Sequence, residues 1–212
     1  MDRVAIIASV RTPIGKFLGA FADLTASELG AVATRGLLER SGVEATAIDE
    51  LIFGCARQAG GGPNMARQVL IRSGIPQERP AFTVNQACGS GLQSILLAAD
   101  RIRMGHARVV IAGGSESMTR VPYLLDRARS GYRLGNSALL DGMFRDGFLD
   151  PICGLLMGET AEKLADLYTI SRADQDAYAL ESQRRAGAAA RDGRFRREIV
   201  PVTVSGRRGE PR

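Results

Sequence analysis

The chain has 212 residues, of which 45% are hydrophobic, 24% charged and 5% aromatic, a composition that suits helices packed on a sheet better than a β-sandwich. No apolar run approaches the length of a membrane-spanning helix, which excludes a membrane partner. The net charge of +5 comes almost entirely from scattered arginines, and no nucleic-acid-binding motif accompanies them, so we expect no nucleic-acid partner.

The amino terminus does not resemble a signal peptide, because the acidic Asp2 stands where a cationic segment belongs and the apolar run that follows is short. The three cysteines, Cys55, Cys88 and Cys153, are odd in number and lack any CxxC spacing. They indicate free thiols in a reducing compartment rather than disulfides or a zinc site. We therefore expect a cytoplasmic protein without a metal centre.

Strand and helix signals alternate along the first half of the chain. The capping box Thr25-Ala26-Ser27-Glu28 opens one of the helices. The predicted elements, in chain order, are a buried strand over 4–10, a helix from 25 to about 42, a strand over 51–53, a helix from about 64 to 74, a strand over 81–85, a helix with an apolar stripe that ends at 105, and a strand over 109–112. This alternation predicts an α/β fold, with a mainly parallel sheet and helices on both faces.

The pattern lapses between Ser115 and Gly158, where Gly, Pro, Asp and Arg interrupt short apolar pieces as in a loop-rich lid or insertion. Two helices follow, over about 159–168 and 171–191, and a last strand is predicted over 198–204. The polar, turn-forming residues after this strand are typical of an interrupted connection rather than of a domain terminus.

The segment with the clearest chemical signal is Val84-Asn85-Gln86-Ala87-Cys88-Gly89-Ser90-Gly91-Leu92. It places Cys88 between a strand and a helix whose first turn holds two glycines. Amides without intrahelical partners and the helix dipole stabilise a thiolate at such a position, and the same amides can bind an oxyanion. A small buried cysteine in a tight strand–helix turn would show the same local pattern. The residues alone leave both interpretations open.

This segment resembles the acylation motif of thiolases, which condense or cleave 3-ketoacyl-CoA through a cysteine thioester. Further segments resemble the same family in the same order along the chain. They are Arg11-Thr12-Pro13-Ile14-Gly15-Lys16-Phe17, Asn64-Met65-Ala66-Arg67-Gln68, Gly113-Gly114-Ser115-Glu116-Ser117-Met118, Met157-Gly158-Glu159-Thr160-Ala161-Glu162, Ser171-Arg172-Ala173-Asp174-Gln175-Asp176, Asp192-Gly193-Arg194-Phe195 and Glu198-Ile199-Val200-Pro201. The resemblance implies a thiolase-like N-terminal half, with an α/β core over 1–116, an inserted loop domain that covers CoA over 117–195, and a final strand with a truncated connection over 196–212.

The resemblance also implies roles for single residues. Cys88 would attack the thioester carbonyl, and its own backbone N–H would help to hold the oxyanion. Met157 would lie against the pantetheine arm of CoA, although a core methionine has the same helical spacing. No permanently bound cofactor is implied, a coenzyme A thioester would be the substrate, and a second copy of the chain would be a partner.

Two positions depart from the family's pattern. Leu156 stands where thiolases specialised for acetoacetyl-CoA tend to have histidine, which favours a degradative or broader 3-ketoacyl-CoA enzyme of fatty acid metabolism. Pro63 stands where glutamine is common, near the active site of the neighbouring subunit. We expect that edge of the site to differ.

A third departure is that the catalytic bases are missing. Thiolase chemistry needs bases that activate the nucleophile and remove a proton next to a thioester, and the family supplies them from a C-terminal half. The single histidine, His106, is predicted on the surface, at the end of the sheet opposite Cys88. Cys55 and Cys153 lie in no matching motif and are interpreted as structural.

The sequence therefore predicts a thiolase subunit that transfers acyl groups to and from coenzyme A. It would form a heteromer with a C-terminal thiolase half, a separate chain or a cleaved fragment, and would be inactive alone. Two alternatives stay open: a non-catalytic thiolase-like subunit that binds acyl-CoA or acts as a scaffold, and a relative such as a ketoacyl synthase. The motifs from Met157 onward favour a thiolase over the synthases. Acyl chain length and reaction direction do not follow from the sequence.

Overall fold

The computed structural model describes residues 3–204 of the chain. Its regular elements are the helices α1 (Ala26–Ser41), α2 (Met65–Arg72), α3 (Ser90–Arg103), α4 (Met157–Leu167) and α5 (Arg172–Arg191), and the strands β1 (Glu50–Gly54), β2 (Ala81–Val84), β3 (Val110–Gly114), β4 (Tyr123–Leu124) and β5 (Leu140–Asp141). All five predicted helices and three of the five predicted strands are found where the pattern placed them, within a few residues.

The capping box at the start of α1 forms as predicted. The amide of Glu28 donates to Thr25 Oγ1 at 3.2 Å, and the amide of Thr25 donates to Glu28 Oε2 at 2.8 Å. The backbone hydrogen bond from Thr25 is the main reason why the pKa of Glu28 lies below its usual value. The helix ends at Gly42, whose φ of 68° is the left-handed conformation that glycine adopts without strain.

Three parallel strands form the main sheet of the described chain, in the order β2-β1-β3. Parallel neighbours need a crossover connection, and α2 and α3 supply the two crossovers. The central strand β1 is buried along its whole length. This explains why Leu51, Ile52 and Phe53 are consecutive apolar residues rather than alternating with polar ones.

Helices cover both faces of this sheet. Leu51 and Phe53 of β1 pack with Val69 of α2 in the main hydrophobic core. Gly54, the next residue along the strand, contacts Ser90 of α3. Because successive strand residues point to opposite faces, α2 and α3 lie on opposite sides of the sheet, as the alternation of elements predicted.

The two terminal strands predicted from the sequence are not formed. Residues 4–10 have no regular secondary structure, and Ile6 is 79% exposed rather than buried. Residues 198–204 contribute only the isolated bridge between Arg11 and Ile199. An apolar run becomes a strand only where a neighbouring strand takes its hydrogen bonds, and in the described chain neither segment lies along one. The expected βαβαβαβ core is therefore a three-stranded βαβαβ unit here.

The described residues fall into two compact units. Residues 3–121 with 198–204 form the unit that holds the main sheet, and residues 122–197 form the second unit. The second unit contains the antiparallel pair β4-β5, a π-helical segment and the helices α4 and α5. The domain boundaries inferred from the sequence remain predictions. Among the described helices, none combines the length and the apolarity that crossing a bilayer requires.

Candidate active site

The loops that follow β1, β2 and β3 lie along one edge of the sheet. They begin at Cys55, Asn85 and Ser115. Parallel strands place their carboxyl ends together, and open α/β sheets bind their ligands outside this edge. The carboxyl edge is therefore the part of this sheet where functional side chains are expected.

Cys88 lies at this edge, in the loop between β2 and α3. It follows Ala87, whose φ of 47° lies in the left-handed region, and it precedes Gly89, the N-cap of α3. Its side chain is exposed, which is at odds with the alternative of a small buried cysteine. The placement expected from the sequence is found, and the role inferred for Cys88 remains a prediction.

The first turn of α3 presents amide donors next to Cys88. The amide of Ser90 donates to the carbonyl of Ala87 at 3.1 Å, whereas the amide of Gly91 has no acceptor within residues 3–204. The dipole of the 14-residue helix adds partial positive charge at the same end. Cys88 is therefore an exposed thiol at the positive end of a helix dipole.

Gly54, at the end of β1, allows the start of α3 to lie this close to the sheet. A Cβ added at Gly54 would lie 2.5 Å from the carbonyl carbon of Ser90 and 2.7 Å from the Ser90 Cβ. A side chain does not fit in that space unless α3 shifts, so the close approach of Ser90 to β1 requires a glycine at this position. The sequence analysis did not single it out, although a glycine that ends a buried strand is a signal of close backbone approach.

The helix α3 turns small side chains toward the sheet. Ser94 and Ala98 are buried, and Ser94 Oγ donates to the carbonyl of Gly113 in β3 at 2.8 Å. The large residues of the predicted apolar stripe point away from the sheet, so that Leu92 is 64% exposed and Leu96 is 51% exposed. In the described chain α3 therefore has an open apolar face.

Cys55 also lies at the carboxyl edge, but its surroundings are different. It is only 1% exposed, and its Sγ donates to Glu116 Oε1 at 3.4 Å. Burial, reinforced by the negative charge of Glu116, raises the pKa of Cys55 to about 12. A thiol with this pKa is protonated and inert at neutral pH, which agrees with its interpretation as structural.

Glu116 connects two of the three loops. Its Oε2 accepts a hydrogen bond from the amide of Ala56 at 3.0 Å, and its Oε1 accepts one from the amide of Arg57 at 2.7 Å. The loop after β3 thus holds the loop after β1. Sequence reasoning included Glu116 in a family motif but gave it no role. The available signal was an acidic residue just after a strand that ends in two glycines.

The glycine-rich turn after β1, residues 60–63, is braced by Gln68. Gln68 Nε2 donates to the carbonyl of Gly61 at 2.8 Å and to that of Pro63 at 3.1 Å. Gln68 Oε1 accepts a hydrogen bond from Ser27 Oγ at 3.1 Å. The turn that carries the unusual Pro63 is thereby tied to both α1 and α2.

His106 lies at the opposite edge of the sheet, just before β3. It is exposed, and its Nδ1 lies 3.1 Å from Arg101 Nη1. This confirms the surface position expected from the sequence. In the described part of the chain, the carboxyl edge that holds Cys88 therefore has no histidine.

Leu156 and Met157 lie in the second unit, at the start of α4. They line a mostly apolar concavity of about 420 Å³ together with Phe144, Phe148, Gly158, Glu159 and Glu162. The two phenylalanine rings pack edge to face, with centroids 5.7 Å apart. Met157 is 53% exposed, which argues against a plain core methionine.

Cys153 also lies in the second unit, where its side chain is exposed, and its interpretation as a thiol without a catalytic role remains a prediction. It occupies a turn in which Asp150 Oδ1 accepts hydrogen bonds from the amides of Ile152, at 2.7 Å, and of Cys153, at 3.4 Å. A short turn of this kind has no core in which to bury a side chain. Over residues 3–204 no cluster of three or more His, Cys, Asp or Glu residues that could hold a metal ion is found.

Comparison with known proteins supplies an independent line of argument. A family model described as "Thiolase, N-terminal domain" matches residues 4–212. An acetyl-CoA acetyltransferase of Pseudomonas aeruginosa is 47% identical over 211 residues, which are 100% of this chain and 54% of that protein. An acetyl-CoA acetyltransferase of Chromobacterium violaceum is 49% identical over 208 residues, which are 98% of this chain and 53% of that protein.

The fold is similar to that of a solved structure as well. The crystal structure of the Bacillus anthracis acetyl-CoA acetyltransferase matches with a TM-score of 0.93 and 39% identity, over 98% of this chain and 52% of that chain. The chain spans about half the length of the curated relatives it matches.

Proposed function

The chain belongs to the thiolase family as the N-terminal half of its fold, and we propose that it carries the nucleophile of a thiolase active site. In this proposal Cys88 receives an acyl group from a coenzyme A thioester and passes it on, in the cleavage or the formation of 3-ketoacyl-CoA. The names of the relatives, acetyl-CoA acetyltransferases, support acyl transfer to or from CoA.

The observation that carries the proposal is the contrast between Cys88 and the other thiol at the same edge. Cys88 is exposed and stands at the amino end of α3, where backbone amides can bind the oxyanion that forms on a thioester. Cys55 is buried, and its pKa is raised to about 12. Of these two thiols, only Cys88 is accessible to a substrate.

The proposed reaction has two halves. The Cys88 thiolate attacks the thioester carbonyl carbon, the bond from that carbon to the sulfur of CoA breaks, and CoA leaves with the proton that Cys88 gave up. The acyl group is then held as a thioester of Cys88. That first half belongs to condensation, whose second half is an attack on this thioester by the α-carbon of acetyl-CoA after a base has taken its proton, so that the bond from Cys88 to the acyl carbon breaks and 3-ketoacyl-CoA forms. Cleavage runs the other way: Cys88 attacks the 3-keto carbonyl carbon of 3-ketoacyl-CoA, the bond from that carbon to the α-carbon breaks, and acetyl-CoA leaves with a proton on its α-carbon. The thiol of CoA then takes the acyl group from Cys88. Amides at the start of α3 would stabilise the negative charge that develops on the carbonyl oxygen.

The start of α4 supports a thioester substrate with an apolar segment. Leu156 and Met157 line an apolar concavity together with the paired rings of Phe144 and Phe148. We propose that Met157 contacts the pantetheine arm of CoA and that Leu156 shapes the space beside it. A leucine instead of a polar residue there favours a 3-ketoacyl-CoA broader than acetoacetyl-CoA, as in fatty acid metabolism.

The bases of the reaction are proposed to come from a C-terminal thiolase half. His106 is at the wrong edge of the sheet, and the carboxylate of Glu116 is engaged by two backbone amides. The open apolar face of α3, with Leu92 and Leu96, is a suitable surface for that half, because large exposed apolar patches mark interaction sites. The two halves would be parts of one polypeptide or separate chains.

We also propose that the assembled protein contains two copies of this chain, related by a two-fold axis. The braced turn at 60–63 supports this, because Gln68 holds the carbonyls of Gly61 and Pro63 in a defined shape at the surface. Light scattering on the purified protein should give a mass that contains two copies or more. A mass that fits one copy would contradict the proposal.

Replacement of the nucleophile tests the proposed function. In protein purified with its C-terminal half, Cys88→Ser should lower the rate of acetoacetyl-CoA thiolysis by roughly 10³-fold or more, because a hydroxyl cannot replace the thiolate. Cys153→Ser, which changes an exposed thiol of the second unit, is the matched control and should leave the rate unchanged. A Cys88→Ser protein that keeps its activity would refute the proposal. Wild-type protein that binds acyl-CoA but never turns it over would instead indicate the non-catalytic subunit.

A further inference from the structure

The residue before Cys88 has a backbone conformation that L-amino acids rarely adopt. Ala87 has a φ of 47°, in the left-handed region, where a Cβ is unfavourable. A non-glycine residue keeps such a conformation only when its surroundings impose it. The contacts of Ala87 therefore decide how the backbone of Cys88 is held.

Two neighbours hold Ala87, one on each side of its peptide. On the carbonyl side, Ala87 O accepts hydrogen bonds from Ser90 Oγ at 2.6 Å and from the Ser90 amide at 3.1 Å. On the amide side, the N–H of Ala87 donates to Asn85 Oδ1 at 3.0 Å. Ser90 Oγ also accepts a hydrogen bond from the Gln86 amide at 2.8 Å, so Ser90 joins the start of the helix to the end of β2. Asn85 is the side chain that links Ala87 to the loop after β1.

The side chain of Asn85 is in turn oriented by the loop after β1. Its Nδ2 donates to the carbonyl of Ala56 at 3.4 Å. The amide of the same Ala56 donates to Glu116 Oε2 at 3.0 Å, and the next amide, that of Arg57, donates to Glu116 Oε1 at 2.7 Å. A continuous path of hydrogen bonds therefore runs from Glu116, after β3, through the loop after β1, to the residue that precedes Cys88.

We propose that Asn85 and Glu116 are positioning residues that hold Ala87 in its left-handed conformation and thereby fix Cys88 at the amino end of α3. This inference rests on the proposed function, because it explains how the nucleophile named there is kept in place. Neither residue needs to touch the substrate. Asn85 acts on the amide of Ala87, and Glu116 acts through the backbone of Ala56.

A purely structural role for these side chains has a different consequence. If they only stabilised the fold, their loss would lower the melting temperature without a specific effect on Cys88. If they impose the conformation of Ala87, glycine at position 87 should make them dispensable, because glycine adopts positive φ without strain. The variant Ala87→Gly therefore separates the two explanations.

The test is the rate of Cys88 alkylation by iodoacetamide, followed by peptide mapping, in protein purified with its C-terminal half. Asn85→Ala should lower the rate constant by roughly tenfold, since relaxation of Ala87 releases the backbone that holds the thiol at the amino end of α3. Glu116→Gln, which puts an NH₂ group against one of the two amides, should lower it by roughly threefold. In the Ala87→Gly background, both substitutions should lower the rate less than about twofold.

A matched control is available at the opposite edge of the same sheet. Asp49 Oδ2 accepts hydrogen bonds from the amides of Arg108, at 2.8 Å, and Val109, at 3.1 Å, in the manner of Glu116. Asp49→Asn should therefore lower the melting temperature about as much as Glu116→Gln but leave the alkylation rate of Cys88 unchanged.

Each outcome decides between the explanations. Unchanged alkylation of Cys88 in Asn85→Ala and in Glu116→Gln would overturn the proposal, and so would a loss that Ala87→Gly does not restore. If Asn85→Ala does not fold, the comparison of Glu116→Gln alone with Glu116→Gln in the Ala87→Gly background decides. Failure of the proposed function looks different, because Cys88 would then react no faster than Cys153 in the unsubstituted protein.

Discussion

Cys55 and Cys88 occupy the same edge of one sheet, yet their surroundings give the two thiols opposite properties. Cys88 is exposed beside the amides of a helix start, whereas Cys55 is buried against the carboxylate of Glu116. Neither burial nor the partner carboxylate of Cys55 follows from its local sequence, because Glu116 is 61 residues away. The position of Cys88 was predictable, because a strand, a cysteine and a glycine-rich helix start are adjacent in the sequence.

The raised pKa of Cys55 leads to a prediction about alkaline stability. A thiol with a pKa of 9.0 unfolded and about 12 folded favours the folded state fully below pH 9.0, and this contribution is lost as the pH rises from 9.0 toward 12. Over that range the free energy of unfolding should fall by up to about 1.4 kcal/mol per pH unit because of this group.

Urea unfolding one pH unit below and one above 9.0 measures this effect. Cys55→Ala should reduce the difference between the two conditions, and Cys153→Ala, which removes an exposed thiol, should leave it as in the unsubstituted protein. An equal pH dependence in the unsubstituted protein and in Cys55→Ala would show that the burial of this thiol is not linked to folding.

Some helices and strands could be predicted from neighbouring residues alone, whereas others depend on distant parts of the chain. The helices α1 and α2 and the three strands of the sheet were predicted because caps, glycines and apolar runs are read from neighbouring residues. The runs at 4–10 and 198–204 have the same local signal, but a strand also needs a partner, and the described chain does not place one beside them. The orientation of α3 was also unpredictable, because its small residues face the sheet and its large ones face outward.

The close contact between β1 and α3 at Gly54 leads to a prediction about how these two elements pack. Gly54→Ala should push α3 away from the sheet, because its Cβ would lie 2.5 Å from the carbonyl carbon of Ser90. We expect a loss of roughly 1–3 kcal/mol in unfolding free energy and a clear decrease in Cys88 alkylation. Gly91→Ala in the first turn of α3 is the matched control, since nothing lies within 4 Å of its added Cβ.

The control variant Gly91→Ala should stabilise α3 by up to about 1 kcal/mol, because alanine has a higher helix propensity than glycine. Denaturant unfolding of the two variants gives both values. Gly54→Ala protein as stable and as reactive at Cys88 as the unsubstituted protein would show that the close contact does not set the position of α3.

At the scale of the whole molecule, the chain has the proposed nucleophile Cys88 and an open apolar face on α3, and the described residues offer no base beside Cys88. We expect residues 1–212 expressed alone to be poorly soluble and without thiolase activity, and co-expression with a C-terminal thiolase half to restore both. Thiolysis by the isolated chain at the rate of the assembled protein would contradict this expectation.

A single substitution tests whether the C-terminal half binds the open apolar face of α3. Leu96→Glu puts a charge on the open apolar face, where Leu96 is 51% exposed. It should raise the solubility of the isolated chain but prevent recovery of activity on co-expression, because a buried unpaired charge is costly at an interface. Leu164→Glu, on α4, is a control at a leucine that is 50% exposed and should leave assembly intact.

The most direct test of Cys88 as the acyl carrier is to find the acyl group on it. Protein purified with its C-terminal half is mixed with acetoacetyl-CoA, quenched in acid within the first turnover, digested and examined by mass spectrometry. We expect an acetyl group on the peptide that contains Cys88 and no acetyl group on the peptides of Cys55 and Cys153. An acetyl group on another residue, or turnover with Cys88 unmodified at every quench time, would contradict the central claim.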